Sequence, residues 1–263
     1  MATNPSLGHI VWYDLMTQDA EKSKSFYTEL LGLQTMPVDM GPTPYSMLAV
    51  DGDPFGGIVD MGAVPEMAEI PSHWMCYIEV EDVAAAAAKC SELGGKVMKE
   101  PDEIPGYGKF AVLEDPTGGF FAAWTSAEPK EPRAPEAFKP GMVCWNELKT
   151  TDVDAARKFY QAMHGWNEDE MTMGDGSTYY VQKAGDRGQG GIMQVPMEGI
   201  PSHWCQYFMV PSVDEVNQRA LDMGGAQLKE PTDIPGMGRF SVLSDPTHAV
   251  FAIYEITASS EEC

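Results

Sequence analysis

PSHWMCYIEVEDVAAAAAKCSELGGKVMKEPDEIPGYGKFAVLEDPTGGFFAAWT (residues 71–125) aligns without a gap to PSHWCQYFMVPSVDEVNQRALDMGGAQLKEPTDIPGMGRFSVLSDPTHAVFAIYE (residues 201–255), with 24 of 55 positions identical. Pro-Ser-His-Trp opens both stretches at Pro71 and Pro201, Gly94-Gly95 answers Gly224-Gly225, and Asp-Pro-Thr recurs at Asp115 and Asp245. Lys-Glu-Pro at Lys99 and Lys229 and Ile-Pro-Gly at Ile104 and Ile234 keep the same offset of 130. Self-similarity at a fixed spacing marks a duplicated structural unit.

Upstream of each stretch the repeat continues at an offset of 133, where Trp12 matches Trp145, Asp19 matches Asp152, and Phe26-Tyr27 matches Phe159-Tyr160. The chain is a tandem duplication. Residues 127–139, with Pro129, Pro132 and Pro135 among Glu, Lys and Arg, read as a stiff, solvated linker. One domain is expected at 6–126 and a second at 140–257.

Each half divides again. His9–Met16 is a β-rich run, and Asp19–Leu31 has helical spacing with Gly32 as a stop. Short strands are expected at Gln34–Val38, Tyr45–Val50 and Phe55–Met61. A second such unit follows, with strand His73–Val80, helix Asp82–Leu93, and strands Lys96–Lys99, Gly108–Leu113 and Gly119–Thr125. Asp115-Pro116-Thr117-Gly118 supplies turn chemistry before the last strand. The order β-α-β-β-β occurs twice per half, and one helix covers one face of each small sheet. The other face needs a partner, so two units together would enclose a groove.

The strand ending at Asp19, the Phe26-Tyr27 and Leu31-Gly32 pairs, the helix closing at Gly94-Gly95 and the Asp115-Pro116-Thr117-Gly118 turn together resemble the vicinal oxygen chelate superfamily. That family includes glyoxalase I, bleomycin-resistance proteins, fosfomycin-resistance enzymes and extradiol dioxygenases. The chain is most similar to its tandem two-domain, glyoxalase-like members. The resemblance implies an α+β fold of four βαβββ units forming two glyoxalase-like domains, with curved sheets enclosing a groove.

Most enzymes of that superfamily hold one divalent metal in the groove through His, Glu or Gln. Octahedral sites of this kind need nitrogen or oxygen donors converging from several strands. The resemblance places Trp12, Trp145, Met75, Cys205, Ala122 and Ala252 at ligand positions, with the remaining ones near Val59 and Met193. None is a hard ligand. A one-residue slip would recruit Asp60 or Gln194, yet one donor does not make a site. No metal site and no cofactor are expected, a divalent metal entering only if the strand register is wrong.

His73 and His203 are the symmetric histidines. Strands alternate faces with period two, so His73 shares a face with Met75, Tyr77 and Glu79, and His203 with Cys205, Tyr207 and Met209. A pocket imidazole would act as acid or base, since His titrates near neutrality. A strand-entry His bonded to backbone is the alternative. The parity of Trp12 selects Asp14, and that of Trp145 selects Glu147 and Lys149. Each carboxylate is either a general base or ligand handle, or a strand-edge group bound to its neighbours. His73, His203, Asp14 and Glu147 are thus the catalytic candidates, and Trp12, Trp145, Met75, Tyr77, Cys205 and Tyr207 the ligand-binding ones. Core packing accounts for the Trp rings as well as stacking on a ligand does. His9, His164 and His248 have no symmetric mates and read as surface or loop residues.

Eighteen Met, among them Met16, Met47, Met61, Met75, Met193 and Met209 on expected groove strands, suit either an adaptable wall or ordinary core filling. The loops around Ile104–Gly108 and Ile234–Gly238 are candidate groove lids, or their glycines simply satisfy turn geometry. No phosphate-binding glycine loop is present, because no Lys or helix start follows Gly56-Gly57 or Gly190-Gly191.

Seventeen basic against 40 acidic side chains give a net charge of −23. Such a surface has no basic patch with which to bind nucleic acid or an anionic membrane. Five cysteines, Cys263 being the last residue, do not form a disulfide framework, and no leader or membrane-length apolar run is seen. A reducing cytoplasm is the expected setting, for a monomer or homodimer with a small-molecule ligand. Three function classes remain. The first is a glyoxalase/bleomycin-resistance-like protein binding a small, partly apolar molecule in a groove without the metal ligands. The second is an enzyme of the same superfamily, either a lyase resembling lactoylglutathione lyase or a dioxygenase. It would be metal-dependent, or metal-independent through a pocket His or carboxylate. The third is a scaffold whose grooves are filled by side chains.

Overall fold

Asp19 and Asp152 begin the first helix of each half by the same device. Each carboxylate accepts a backbone N–H three residues on, from Lys22 and Ala155, at 3.0 Å. This satisfies one of the donors that a helix start leaves orphaned. In the computed structural model, which describes residues 4–39, 43–174 and 176–256, the first half runs β1 (Ile10–Thr17), α1 (Ala20–Leu31), β2 (Gln34–Val38), β3 (Tyr45–Val50) and β4 (Asp53–Asp60). It continues as β5 (His73–Glu79), α2 (Val83–Glu92), β6 (Lys96–Ile104), β7 (Gly108–Glu114) and β8 (Phe120–Ser126). The second half repeats this as β9 (Val143–Thr150), α3 (Val153–His164), β10 (Asn167–Thr172), β11 (Thr178–Ala184) and β12 (Arg187–Gln194). It ends with β13 (His203–Met209), α4 (Val213–Asp222), β14 (Ala226–Ile234), β15 (Gly238–Ser244) and β16 (Val250–Ile256). Cys263 and residue 257 lie outside the described residues.

Four βαβββ modules therefore make an α+β fold with two curved sheets. Their strand orders are β2-β3-β4-β1-β5-β8-β7-β6 and β10-β11-β12-β9-β13-β16-β15-β14, and neither closes into a barrel. β1 pairs in parallel with β4, setting Asp14 beside Gly57, and β9 with β12, setting Glu147 beside Gly191.

The chain forms two compact units that do not follow the halves. One is built from residues up to Trp12, from Met75–Arg133 and from Asn146–Trp204; the other from Tyr13–Trp74, Ala134–Trp145 and Cys205 onward. In the second unit Phe26, Tyr27 and Leu30 of α1 pack with Trp74, Phe208, Phe251 and Ile253 in one apolar core. Phe26 and Tyr27 each meet Phe251 edge-on, at ring centroid distances of 6.0 and 5.4 Å. Burying side chains of this size is worth about 1.5–3 kcal/mol each. The first unit builds its own aromatic core from Phe121, Phe159, Tyr160, Trp166 and Trp204. There the fully buried Tyr160 hydroxyl accepts from Trp204 Nε1 at 3.0 Å and donates to Asp115 Oδ2 at 2.9 Å. The other oxygen of Asp115 accepts from Thr117 N and Oγ1, both at 2.7 Å, and so closes the Asp-Pro-Thr-Gly turn.

Three expectations change. β6, expected at Lys96–Lys99, runs on to Ile104, as β14 does to Ile234, through bulged pairing with β7 and β15, and Ile104–Gly108 and Ile234–Gly238 form tight hairpin tips. Met61 lies in a single buried 3-10 turn after β4, off the strand. The His164 ring is not a surface group. It stacks on Tyr160 and meets Trp166 and Phe121 in the first unit, and burial pulls its pKa down to about 3.

Candidate functional site

In the second compact unit, Cys205, Tyr207, Val242 and Ala252 form a buried apolar patch on adjacent strands, framed by the partly buried Trp145, Phe240, Val250 and Tyr254. Strand alternation explains it: Cys205 and Tyr207 share one face of β13, and register sets Tyr207 beside Ala252 and Phe240 opposite Tyr254. The Tyr207 and Phe240 rings lie 6.0 Å apart at 40°. The same unit holds Asp14, 5% exposed, whose Oδ1 accepts the Tyr45 hydroxyl at 2.8 Å. Gly57, beside Asp14, has no side chain because a Cβ there would sit 1.9 Å from that hydroxyl. His73 donates Nδ1–H to Pro71 O at 2.8 Å, and desolvation lowers its pKa.

The first unit carries the equivalent face. Met75 and Tyr77 are buried, Trp12 is half-buried, and Tyr77 meets Trp124 edge-on at 6.0 Å. Glu79, 1% exposed, is consumed locally, accepting from Asn4 Nδ2, Ser126 N and Ser126 Oγ. This unit also contains Glu147, Lys149 and His203. Glu147 and Lys149 pair at 3.4 Å with little exposure. His203 donates Nδ1–H to Pro201 O at 2.9 Å. Desolvation lowers its pKa first, Lys149 lowers it further, and Glu147 opposes them. The phenol end of Tyr179 lies over Gly191, beside Glu147. The structure thus brings His203 into the field of Glu147, whereas only burial and the Pro71 carbonyl act on His73.

Residues 6–121 match the family described as Glyoxalase/Bleomycin resistance protein/Dioxygenase superfamily. The Mycobacterium tuberculosis (strain CDC 1551 / Oshkosh) protein named "Putative glyoxylase CFP32" is 38% identical over 245 residues, 92% of each chain. The chain belongs to this superfamily. The Streptomyces peucetius "Anthracycline biosynthesis protein DnrV" is another member-like relative, 31% identical over 261 residues, covering 95% of this chain and 94% of its own. The structure of an Mn(II)-bound glyoxalase from Novosphingobium aromaticivorans superposes with a TM-score of 0.61 at 17% identity, covering 95% of this chain and 82% of that one, and shares the fold.

The side chains at the positions that the resemblance assigns to the metal do not fit a divalent ion. Met75, Cys205, Ala122 and Ala252 are buried, Trp12, Trp145, Val59 and Met193 are half-buried, and no hard oxygen or nitrogen donor stands among the eight. Among the described residues no three His, Cys, Asp or Glu side chains converge as a metal group. The register also removes the one-residue slip, since Met16 pairs with Val59 and Met193 with Lys149, which turns Asp60 and Gln194 to the opposite face. Cys76 and Cys144 are not poised as nucleophiles, since burial pushes both thiols up to about 12.

Sequence reasoning named the aromatic and charged residues of the faces but missed Tyr45, Tyr179, Phe240 and Tyr254. The signal for them was present. Alternation along β15 and β16 puts Phe240, Val242, Ala252 and Tyr254 on the face that Tyr207 marks, and the glycines at 57 and 191 mark where a large side chain crosses the strand.

Proposed function

We propose that this superfamily member binds a small, partly apolar, flat molecule on the aromatic face of the second compact unit. The observation that carries this reading is the Cys205–Tyr207–Val242–Ala252 patch, framed by three aromatic rings from three strands. Flat rings on a rigid sheet offer large contact area at small entropic cost. A relative named for anthracycline biosynthesis suits such a ligand, because anthracyclines are planar polycyclic molecules. The four described cysteines are free thiols, in keeping with a cytoplasmic setting.

Titration with 2-naphthol, followed by tryptophan fluorescence and calorimetry, tests the proposal. Saturable binding is expected, weakened about tenfold in Trp145→Ala, since losing one stacked ring costs about 0.5–1.5 kcal/mol beyond its area. No saturation, or no response to that substitution, sinks the reading.

The Glu147–Lys149–His203 group favours a second reading, a metal-independent enzyme that moves a proton in the first unit. Turnover of a glutathione hemithioacetal that Glu147→Gln and His203→Gln abolish supports it; lack of turnover by the parent protein removes it.

A further inference from the structure

The two aromatic faces carry the same cation in different company. In the first unit Lys99 stands 5.3 Å over the Phe110 ring, and its ammonium is also bonded to Asp102 Oδ2 at 2.9 Å. In the second unit Lys229 stands 5.6 Å over Phe240. The position matching Asp102 is Thr232, and its hydroxyl turns away to donate to Glu230 O at 2.8 Å. Asp233 and Asp214 both hold Arg239, at 2.7 and 2.9 Å. Among the described residues no carboxylate lies within ion-pair range of Lys229. The register puts Lys229 opposite Val242 and Thr232 opposite Phe240, so the cation sits on the strand next to the aromatic patch.

We infer that Lys229 makes this face select a flat aromatic ligand that carries an anionic group, a carboxylate, sulfonate or phenolate, while the Lys99 face is neutral. The inference rests on the proposed aromatic-face binding and adds the charge of the ligand. An ammonium held by a ring keeps its charge and position yet retains donors for an oxyanion. Lys99 is already neutralised by Asp102. In a chain of net charge −23, a site that prefers an anion works against the overall field, so the preference must be local.

The test compares 2-naphthalenesulfonate with 2-naphthol on the full chain. The sulfonate is expected to bind more tightly. Thr232→Asp, which restores the acid found at Asp102, and Lys229→Met are each expected to weaken the sulfonate about fivefold, the upper end for a partly exposed charge pair. Both should leave 2-naphthol unchanged. Raising salt should weaken the sulfonate alone. Asp102→Thr is expected to add a second sulfonate site. Circular dichroism of each variant confirms the fold. Equal affinity for both probes, or indifference of the sulfonate to Lys229→Met, overturns the inference and leaves the aromatic reading standing. Binding of neither probe overturns both.

Discussion

The Tyr45 hydroxyl donates to Asp14 Oδ1 at 2.8 Å across a glycine that is there to let it pass. A nearly buried carboxylate is thus held by a phenol from a strand two places away in the sheet. Removing the phenolic oxygen in Tyr45→Phe withdraws a charge-assisted bond and is expected to cost about 1.5–3 kcal/mol. Gly57→Ala should reach the same end sterically, because its Cβ would fall 1.9 Å from the hydroxyl. A double-mutant cycle by urea unfolding checks this: the two costs should fall well short of additive, and full additivity would show the glycine has another purpose.

Acid should destabilise this protein while its carboxylates are still ionised. In the folded chain His164 takes a proton only near pH 3, and in the unfolded chain near 6.5. Between those values unfolding takes up a proton, so stability falls as pH is lowered, by up to roughly 1.4 kcal/mol per unit. His9, His73 and His203 are lowered too and act in the same direction. Urea midpoints between pH 7 and 5 should fall in the parent chain and fall less steeply in His164→Phe.

His248 occupies the left-handed region, with φ 73°, at the turn position where the first repeat has Gly118 at φ 98°. A side chain there costs on the order of 1 kcal/mol. His248→Gly should therefore raise the melting temperature, and Gly118→His should lower it. Opposite signs would mean that the His248 ring makes a contact worth more than the strain.

Metal should contribute nothing to stability. Protein purified without chelator or a metal-binding tag is expected to contain far less than one equivalent of nickel, zinc, manganese or iron by elemental mass spectrometry. Chelation should leave the thermal midpoint in place. A stoichiometric metal would show that donors outside the eight apolar positions assemble a site.

The modules were legible because local chemistry wrote each of them. Asp19, Asp82 and Asp152 cap helices with their own side chains, apolar spacing gives the helix faces, and Asp115 closes its turn within four residues. What stayed hidden depends on distance in the chain. Tyr160 and Asp115 are 45 positions apart, and nothing near either predicts their bond. His164 reads as an ordinary helix-end residue until Tyr160, Trp166 and Phe121 enclose it. The aromatic faces were half legible: alternation marked Tyr207 and Tyr77, while Phe240 and Tyr254 required the register of a second hairpin.

Because each compact unit draws segments from before and after residues 127–139, a cut in that linker would not release two finished domains. Each fragment would carry incomplete portions of both units, with aromatic cores exposed until its counterpart arrived. Two such fragments made separately form a natural complementation pair, in which recovery of cooperative unfolding reports that they have met.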